Sequence, residues 1–403
     1  VAHSLPPLVV IGNPENRRIA LFAAAAQRLA LPRPLAIAYE GILASARVDL
    51  AAVVPEGALV RVESPGENAA VHAALIRRGA TLQGLGQRQI ADEMDAAAVH
   101  GRISGSALWY TGYCSLLHQI ERALRPSGVR WMNNPADIAV LFDKTRCQAV
   151  LAERGVSVPR CLPRSLPAAG GNAPTCFEQL LAELDRLGWR RAFIKLRYGS
   201  SASGVVAFER HGRQMQATTS VELDCGAGCE AGRPRLFNSL RVRRYTDPAR
   251  IATLIDELCR QQVHVEEWLP KASLAGRSFD LRIVVIAGQP RHLVMRTSRG
   301  PITNLHLGNR RGDVAGLEGK WRPRDRDAAW STCRAAAACF PRCHYLGVDL
   351  ALLAGLSRHA VLEVNAFGDL LPNVLDAAGD DSYAAELRAL TMPARHNAIA
   401  VGD

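Results

Sequence analysis

The sequence predicts an α/β protein: an open, mostly parallel sheet in the first third, then an α+β part with antiparallel strands. Three observations predict it. Short apolar runs alternate with helical apolar spacing from residue 8 onward, the pattern of strands joined through helices. The 403 residues are 48% hydrophobic and 22% charged, which suits two or three packed domains and argues against disorder. Beyond residue 193 strands follow one another closely, and one pair closes on Ala287-Gly288, a hairpin turn.

Taken in order, Leu8 to Gly12 reads as a strand closed by a Gly-Asn-Pro turn. Asn16 to Leu29 has helical spacing, Leu59 to Glu63 alternates as a strand, and Glu67 to Ile76 reads as a helix. The turn at Gly12-Asn13-Pro14 lacks the Gly-x-Gly-x-x-Gly spacing of a dinucleotide site. Trp109 to Leu124 is an amphipathic helix stopped by Pro126, and Ala136 to Arg154 a second helical stretch stopped by Gly155. A domain boundary is expected between about 125 and 135, and Pro163 to Pro174 reads as a loop. Phe193 to Leu196 and Val205 to Phe208 are strands around a Gly/Ser loop. Asp280 to Ile286 and Gln289 to Val294 form the hairpin, Ala328 to Ala338 is a helix, and Gly347 to Leu350 and Ala360 to Asn365 are two more strands.

Charge excludes less than it first suggests. The net charge is +11, and of 49 basic residues four are lysines (Lys144, Lys195, Lys271, Lys320) and 45 arginines. The arginines are spread along the whole chain, as a compositional bias spreads them. No basic block interleaved with aromatics marks a nucleic-acid surface. No apolar run is long enough to span a membrane, and no signal peptide is evident, so a cytoplasmic location is expected. The ten cysteines include no Cys-x-x-Cys pair. Cys225/Cys229 and Cys339/Cys343/His344 do not complete a zinc set, so reduced thiols are expected.

Four segments carry possible chemistry. The loop Tyr198 to Gly204 holds two glycines and three serines behind Lys195, so its amides can approach a phosphate closely. The same segment also reads as a plain hairpin turn. Asp349, Glu363 and Asn365 lie in apolar strands, and residues two apart share a face. Buried carboxylates need a partner, either a hard cation such as Mg²⁺ or neighbouring arginines. Val265 to Leu269 offers backbone and carboxylate groups of the kind an adenosine contacts. Asp280 and Arg282 share a strand face, with Arg296 and Asn304 following, and cations there suit phosphoryl transfer.

In this order the segments resemble the ATP-grasp superfamily of carboxylate–amine ligases, particularly its ribosomal-protein glutamate ligase-like branch. Matching pieces are Asn134-Pro135, Phe142 to Lys144, Gly155 to Pro159, Phe193 to Lys195 with Gly199 to Val205, Val265 to Leu269, Asp280 to Arg282, Asn304 to His306, Gly347 to Asp349 and Leu362 to Asn365. They span about residues 133–375. The resemblance implies an α/β domain over 1–130 ahead of a two-lobed ATP-grasp fold. Its first lobe would cover 131–270, with an insertion near 209–262, and its second 271–403.

It also implies roles. Lys144 and Lys195 contact ATP phosphates, and Ser200, Ser201, Ser203 and Gly204 form the lid. Glu266, Glu267, Trp268 and Leu269 hold the nucleotide, with Asp280 nearby. Arg282, Arg296 and Asn304 serve the transferred phosphate. Asp349, Glu363 and Asn365 bind Mg²⁺, as two ions, with Mn²⁺ as an alternative. The implied reaction is activation of a carboxylate as an acyl phosphate and its joining to an amine, on a small molecule or a peptide.

Three departures concern the acceptor side. Ala366-Phe367-Gly368-Asp369 replaces Ala-Ser-Pro-Gly, Ile302 stands where an arginine is usual, and Ala207 to His264 is long and includes Arg241 to Arg244. An enzyme forming amide or ester links in a peptide precursor is the alternative, and a nucleotide-binding protein without turnover a third reading. His118, His306 and His344 show no partner in sequence, and Trp109, Tyr110 and Tyr113 read as core.

Overall fold

A computed structural model describes residues 5–44, 49–162, 173–200, 202–226, 234–368, 371 and 374–391. Among the described residues the strands form three sheets. The first is parallel, in the order Leu35–Ala38, Leu8–Gly12, Leu59–Val62, Arg130–Trp131. Its central strands are buried throughout, including Arg61 on the strand Leu59–Val62. The helices Ala69–Leu82 and Ser106–Leu124 cross with their backbones touching. A Cβ at Gly79 would lie 1.9 Å from the Leu108 carbonyl oxygen, and one at Gly112 would lie 2.0 Å from that of Leu75. Only glycine permits that approach. Trp109 and Tyr113 pack with Phe142 at 5.7 and 5.3 Å, so this aromatic cluster is core.

The expected helix from 136 to 154 is two helices, Pro135–Phe142 and Lys144–Glu153. Asp143 breaks it. Its backbone is extended, and its side chain caps the second helix by accepting from the amides of Thr145 and Arg146. The break also turns Lys144 into the first residue of a helix. The helices expected at 67–76 and 328–338 are longer, Ala69–Leu82 and Pro323–Ala338. Pro163 to 172 and Cys229 lie outside the described residues.

The second sheet is antiparallel, in the order Arg235–Tyr245, Gln214–Asp224, Val206–His211, Arg191–Leu196, Val263–Glu267. The helices Phe177–Arg186 and Pro248–Arg260 cover one face with Leu180, Leu184, Leu254 and Leu258. The long segment between 207 and 264 is therefore two extra strands and a helix that widen this sheet.

The third sheet runs Arg310–Arg311, Gln289–Ser298, Arg277–Ile286, Tyr345–Leu352, His359–Asn365, with Ser273–Leu274 beside Arg277–Ile286. Alternation decides what each face does. Phe279, Leu281 and Ile283 share a core with Ala329, Cys333 and Ala336 of the helix Pro323–Ala338. The opposite face begins polar, at Asp280 and Arg282. It turns apolar at Val284 and Ile286, which share a core with the helices Arg17–Arg28 and Ser382–Thr391. Among the described residues no helix is long and apolar enough to cross a membrane. The described cysteines are free thiols.

One buried ion cluster ties these layers together. Arg61, 1% exposed, donates to Glu63 at 2.6 Å and to Glu386, and its guanidinium lies 4.2 Å over the Tyr345 ring. Two carboxylates share one buried guanidinium, so both cannot be fully neutralised. Burial raises the Glu386 carboxyl to about 7 against the opposing pull of Arg61, and Glu63 adds to the rise. A folded-state value above the ordinary 4.5 means that the folded protein holds this proton more tightly. This contribution is complete below about pH 4.5 and disappears as pH rises through about 7. Wild type should therefore lose on the order of 3 kcal/mol relative to Glu386→Gln across that window, read by urea unfolding. Parallel stability–pH curves for the two proteins would show that Glu386 does not titrate there.

Candidate active site

The site lies where the second and third sheets face each other, and it is built from charged residues on short, well-held elements. Asp143 receives the Arg197 fork at 2.8 and 2.6 Å, and the Lys144 amide donates to the Arg197 carbonyl. The ammonium of Lys144 then donates to the Gly199 carbonyl at 2.8 Å and to Glu363 Oε1 at 2.5 Å. Lys195 lies on the strand Arg191–Leu196, opposite His264 in the ladder, and pairs with Glu266 Oε1 at 2.5 Å. Both lysines line one cavity with Cys147, His264, Glu266 and Glu363.

Burial shapes these charges, and partners decide the outcome. Burial pushes the Glu266 carboxyl up, but Lys195 and His264 outweigh it and hold it at about 2. Burial lowers the His264 imidazole below its ordinary value, and its contact with Glu266 only partly opposes this. Burial opposes the Lys195 ammonium, yet Glu266, Glu363 and Asp349 raise it, so it stays charged. Glu363 is likewise pushed up by burial and then lowered by Lys144, Lys195 and Arg282.

The loop after Lys195 folds back on the strand. Gly199 donates its amide to the Leu196 carbonyl, and the Ser203 amide donates to the Ser200 carbonyl at 2.9 Å. Gly204 has φ +67°, and a Cβ there would sit 2.4 Å from Leu196 Cγ. Ser200 is exposed and Ser203 half-buried; Ser201 lies outside the described residues. Tyr198, at the root of the loop, stacks on Tyr110 with ring centroids 4.2 Å apart.

On the third sheet the ladder register sets the geometry. Arg282 pairs with Asp349, and Asp349 with Glu363, across three adjacent strands; Gly347 pairs with Asn365. Arg282 grips Asp349 through Nε and through Nη2 at 3.0 Å. Arg296 donates to Asp280 at 2.7 Å and lies 3.2 Å from Asp349. Asp280 also accepts from Lys271 at 2.8 Å and from the Thr303 hydroxyl. Burial disfavours the charged Asp280, but Arg296 and Lys271 carry its pKa far below the ordinary range.

Not every predicted residue joins this cluster. The Asn304 side chain caps the turn Leu305–Leu307 by accepting the His306 amide at 2.9 Å. Glu267 points away from Glu266 and takes the Arg160 fork at 2.8 and 2.9 Å. Trp268 packs on Phe193 at 5.2 Å, and Leu269 is half-buried beyond the strand end. Asn365 donates to the Gly347 carbonyl at 3.3 Å.

Sequence reasoning missed Lys271, Thr303 and His264. The scarcity of lysine marked Lys271, but its partner is nine residues away across a turn, and no periodicity reveals that. Among the described residues no group of three His, Cys, Asp or Glu side chains is arranged to hold a metal ion. The candidate donor set is instead two carboxylates and an amide on adjacent strands. Hard oxygen donors of this kind fit Mg²⁺ better than a softer ion.

No protein-family profile matches the chain, and no curated protein matches it. Solved structures do. ATP-grasp ligase PsnB, complexed with a phosphomimetic variant of a minimal precursor, Mg and ADP, is 16% identical over 97% of this chain and 100% of that one, with a TM-score of 0.50. D-cycloserine synthetase DcsG is 14% identical over 95% and 98%, also at 0.50. Macrocyclase MdnC, bound with precursor peptide MdnA from Microcystis aeruginosa MRC, is 12% identical over 96% and 100%, again at 0.50. The chain has the fold of the ATP-grasp ligases.

The cluster predicts its own fragility. Replacing Asp280 by Asn leaves Lys271 and Arg296 short of a buried counter-charge, which costs about 3–5 kcal/mol. Urea unfolding of Asp280→Asn should show that loss, whereas Glu267→Gln, which breaks an exposed pair, should change stability by less than about 1 kcal/mol.

Proposed function

We propose that this chain is an ATP- and Mg²⁺-dependent ligase that activates a carboxylate as an acyl phosphate and joins it to an amine. One observation carries the reading: on an ATP-grasp fold, Lys144 and Lys195 line one cavity with Glu266 and Glu363, and Asp349, the cross-strand neighbour of Glu363, is held by Arg282 and Arg296. Polyphosphate binding and phosphoryl transfer need cations and metal-binding carboxylates within one water-poor site.

In this reading Lys144 and Lys195 hold phosphate oxygens, and the lid Ser200 to Gly204 covers them. Glu266 to Leu269 holds the nucleoside, with Glu266 also keeping Lys195 charged. Asp349, Glu363 and Asn365 would hold Mg²⁺, which when bound neutralises phosphate charge and orients the phosphates. Arg282 and Arg296 face the transferred group, while Asp280, Lys271 and Thr303 fix the direction of Arg296. Asn304 orients the neighbouring turn through its cap. His264, kept neutral by burial, adds no charge beside the lysines. The order of the sequence segments supports a position near the ribosomal-protein glutamate ligase-like branch.

A second reading has a specific observation behind it. The added strands Gln214–Asp224 and Arg235–Tyr245 enlarge the lobe beside the site, and PsnB and MdnC were each solved with a precursor peptide or its variant. A peptide-modifying ligase forming amide or ester links is thus the form of this activity to test first.

The test is ADP release over a panel of acids, amines and peptides, with mass spectrometry of the products. Turnover should require Mg²⁺ and should fall at least about a hundredfold in Glu363→Gln and Asp349→Asn with melting temperatures retained. Lys195→Arg should lose a similar amount despite its charge, because a planar fork cannot replace a compact ammonium. ATP bound without any ADP release across the panel would favour a nucleotide-binding protein without turnover.

A further inference from the structure

A groove of about 400 Å³ opens beside the cluster, between the second and third sheets. Its charged lining is Arg277, Arg299 and Arg310, and no carboxylate lines it. Arg299 and Arg310 are exposed, with no carboxylate partner among the described residues. Arg277 is turned by hydrogen bonds to Thr297. Half-buried Arg197, Arg210 and Arg243 each meet an acid; the three guanidiniums of this concavity share it with none. The groove adjoins the reaction site directly. Ile302, in its wall, precedes Thr303, which bonds Asp280, and Arg310 pairs in the ladder with Thr297, next to Arg296.

The opposite rim carries two exposed apolar side chains, with Arg241 exposed between them. It comes from Arg235–Tyr245, the edge strand of its sheet. Its pairing jumps from Thr219↔Arg243 to Val221↔Asn238, so residues 239–242 bulge out of the ladder. Leu240 and Val242 on that bulge are 74% and 45% exposed, and Val242 lines the groove. Residues 236–238 of this edge already bond to Gly101 and Ile103, and the Arg241 amide donates to Ser239 Oγ, so an extended segment would meet the bulge through its side chains rather than by lengthening the ladder.

We propose that this groove binds an extended acidic peptide segment whose carboxylates meet Arg277, Arg299 and Arg310 and whose apolar side chains cover Leu240 and Val242. The chemistry is charge-assisted hydrogen bonding from guanidinium to carboxylate, with apolar contact on the other rim. A small polycarboxylate would use the arginines but not the apolar bulge. Nucleic acid would find no aromatic platform among the lining residues. The inference rests on the ligase reading for its meaning: the segment held here delivers a nearby carboxylate or amine to the site.

Binding is measured without turnover, by fluorescence anisotropy of fluorescein-labelled Glu-Leu-Glu-Val-Glu-Leu-Glu on the full chain, with ATP binding followed separately by calorimetry. The peptide should bind, weaken as salt rises, and be displaced poorly by citrate. A control with Lys at each Glu should not bind. Arg299→Glu with Arg310→Glu should weaken the acidic peptide at least about tenfold while ATP affinity stays unchanged. Leu240→Asp, at the other rim, should weaken it as well. No binding, equal loss with citrate, or preference for a single-stranded oligonucleotide would overturn the proposal. Loss of ATP binding by the wild-type chain would instead count against the ligase reading, so the two failures are told apart.

Discussion

The pairing of Asp349 with Arg282 and Arg296 is the interaction on which the site depends. Asp349 is 6% exposed, and an isolated carboxylate there would be strongly disfavoured. Arg282 grips both of its oxygens, Arg296 lies at Oδ2 as well, and Arg296 is held in turn by Asp280. Asp280 needs Lys271 as well, and Glu363, the cross-strand neighbour of Asp349, needs Lys144. No member is stable in that place without the next. The cluster is a chain of alternating charge laid across four strands, Arg277–Ile286, Gln289–Ser298, Tyr345–Leu352 and His359–Asn365.

Such pairing has a consequence for function. Lys144 is paired with Glu363 and Lys195 with Glu266, carboxylates of the protein itself. A polyphosphate arriving alone would displace Glu363 and Asp349 from their cations and leave them facing another anion. In the ligase reading, arrival with a divalent ion would give both sides new partners: carboxylates to the metal and lysines to phosphate. In the ligase reading, binding is thus an exchange of counter-ions within one cluster, and nucleotide and metal depend on each other through Glu363 and Asp349. The Arg61 cluster sits behind this surface and holds the first sheet and the C-terminal helix against Tyr345. The strand that carries Asp349 therefore has a fixed support.

The fold and the site were legible in the sequence to different degrees. The hairpin at Ala287-Gly288 was readable because Arg277–Ile286 and Gln289–Ser298 are long and punctuated by a turn. The break at Asp143 was not, since the apolar spacing runs through it; only the capping geometry separates the helices. Glu363 and Asn365 could be placed on one strand face from spacing alone. Their approach to Asp349 depends on a ladder register that local sequence does not encode. For the buried carboxylates the sequence leaves two partners open, a hard cation or neighbouring arginines, and the structure pairs Asp349 with Arg282 and Arg296. Asn304 spends its side chain on a cap, a local role that the sequence segment does not reveal. Lys271 had no signal beyond its rarity, because its partner Asp280 is reached across a turn.

That rarity has a physical reading. Where an arginine of this chain meets a carboxylate squarely, it does so through its planar fork, as Arg197 does with Asp143 and Arg160 with Glu267. Lys144 and Lys271 do something a planar fork does poorly. Each ammonium reaches two acceptors on different elements: Gly199 and Glu363 for one, Asp280 and Thr303 for the other. A tetrahedral donor can satisfy acceptors converging from separate directions, whereas guanidinium donors lie in one plane. Three of the four lysines, Lys144, Lys195 and Lys271, lie in the buried charge cluster; Lys320 is exposed and outside it. In a chain that otherwise uses arginine, lysine persists where a compact charge must sit among convergent oxygens, and a phosphate offers the same arrangement of acceptors.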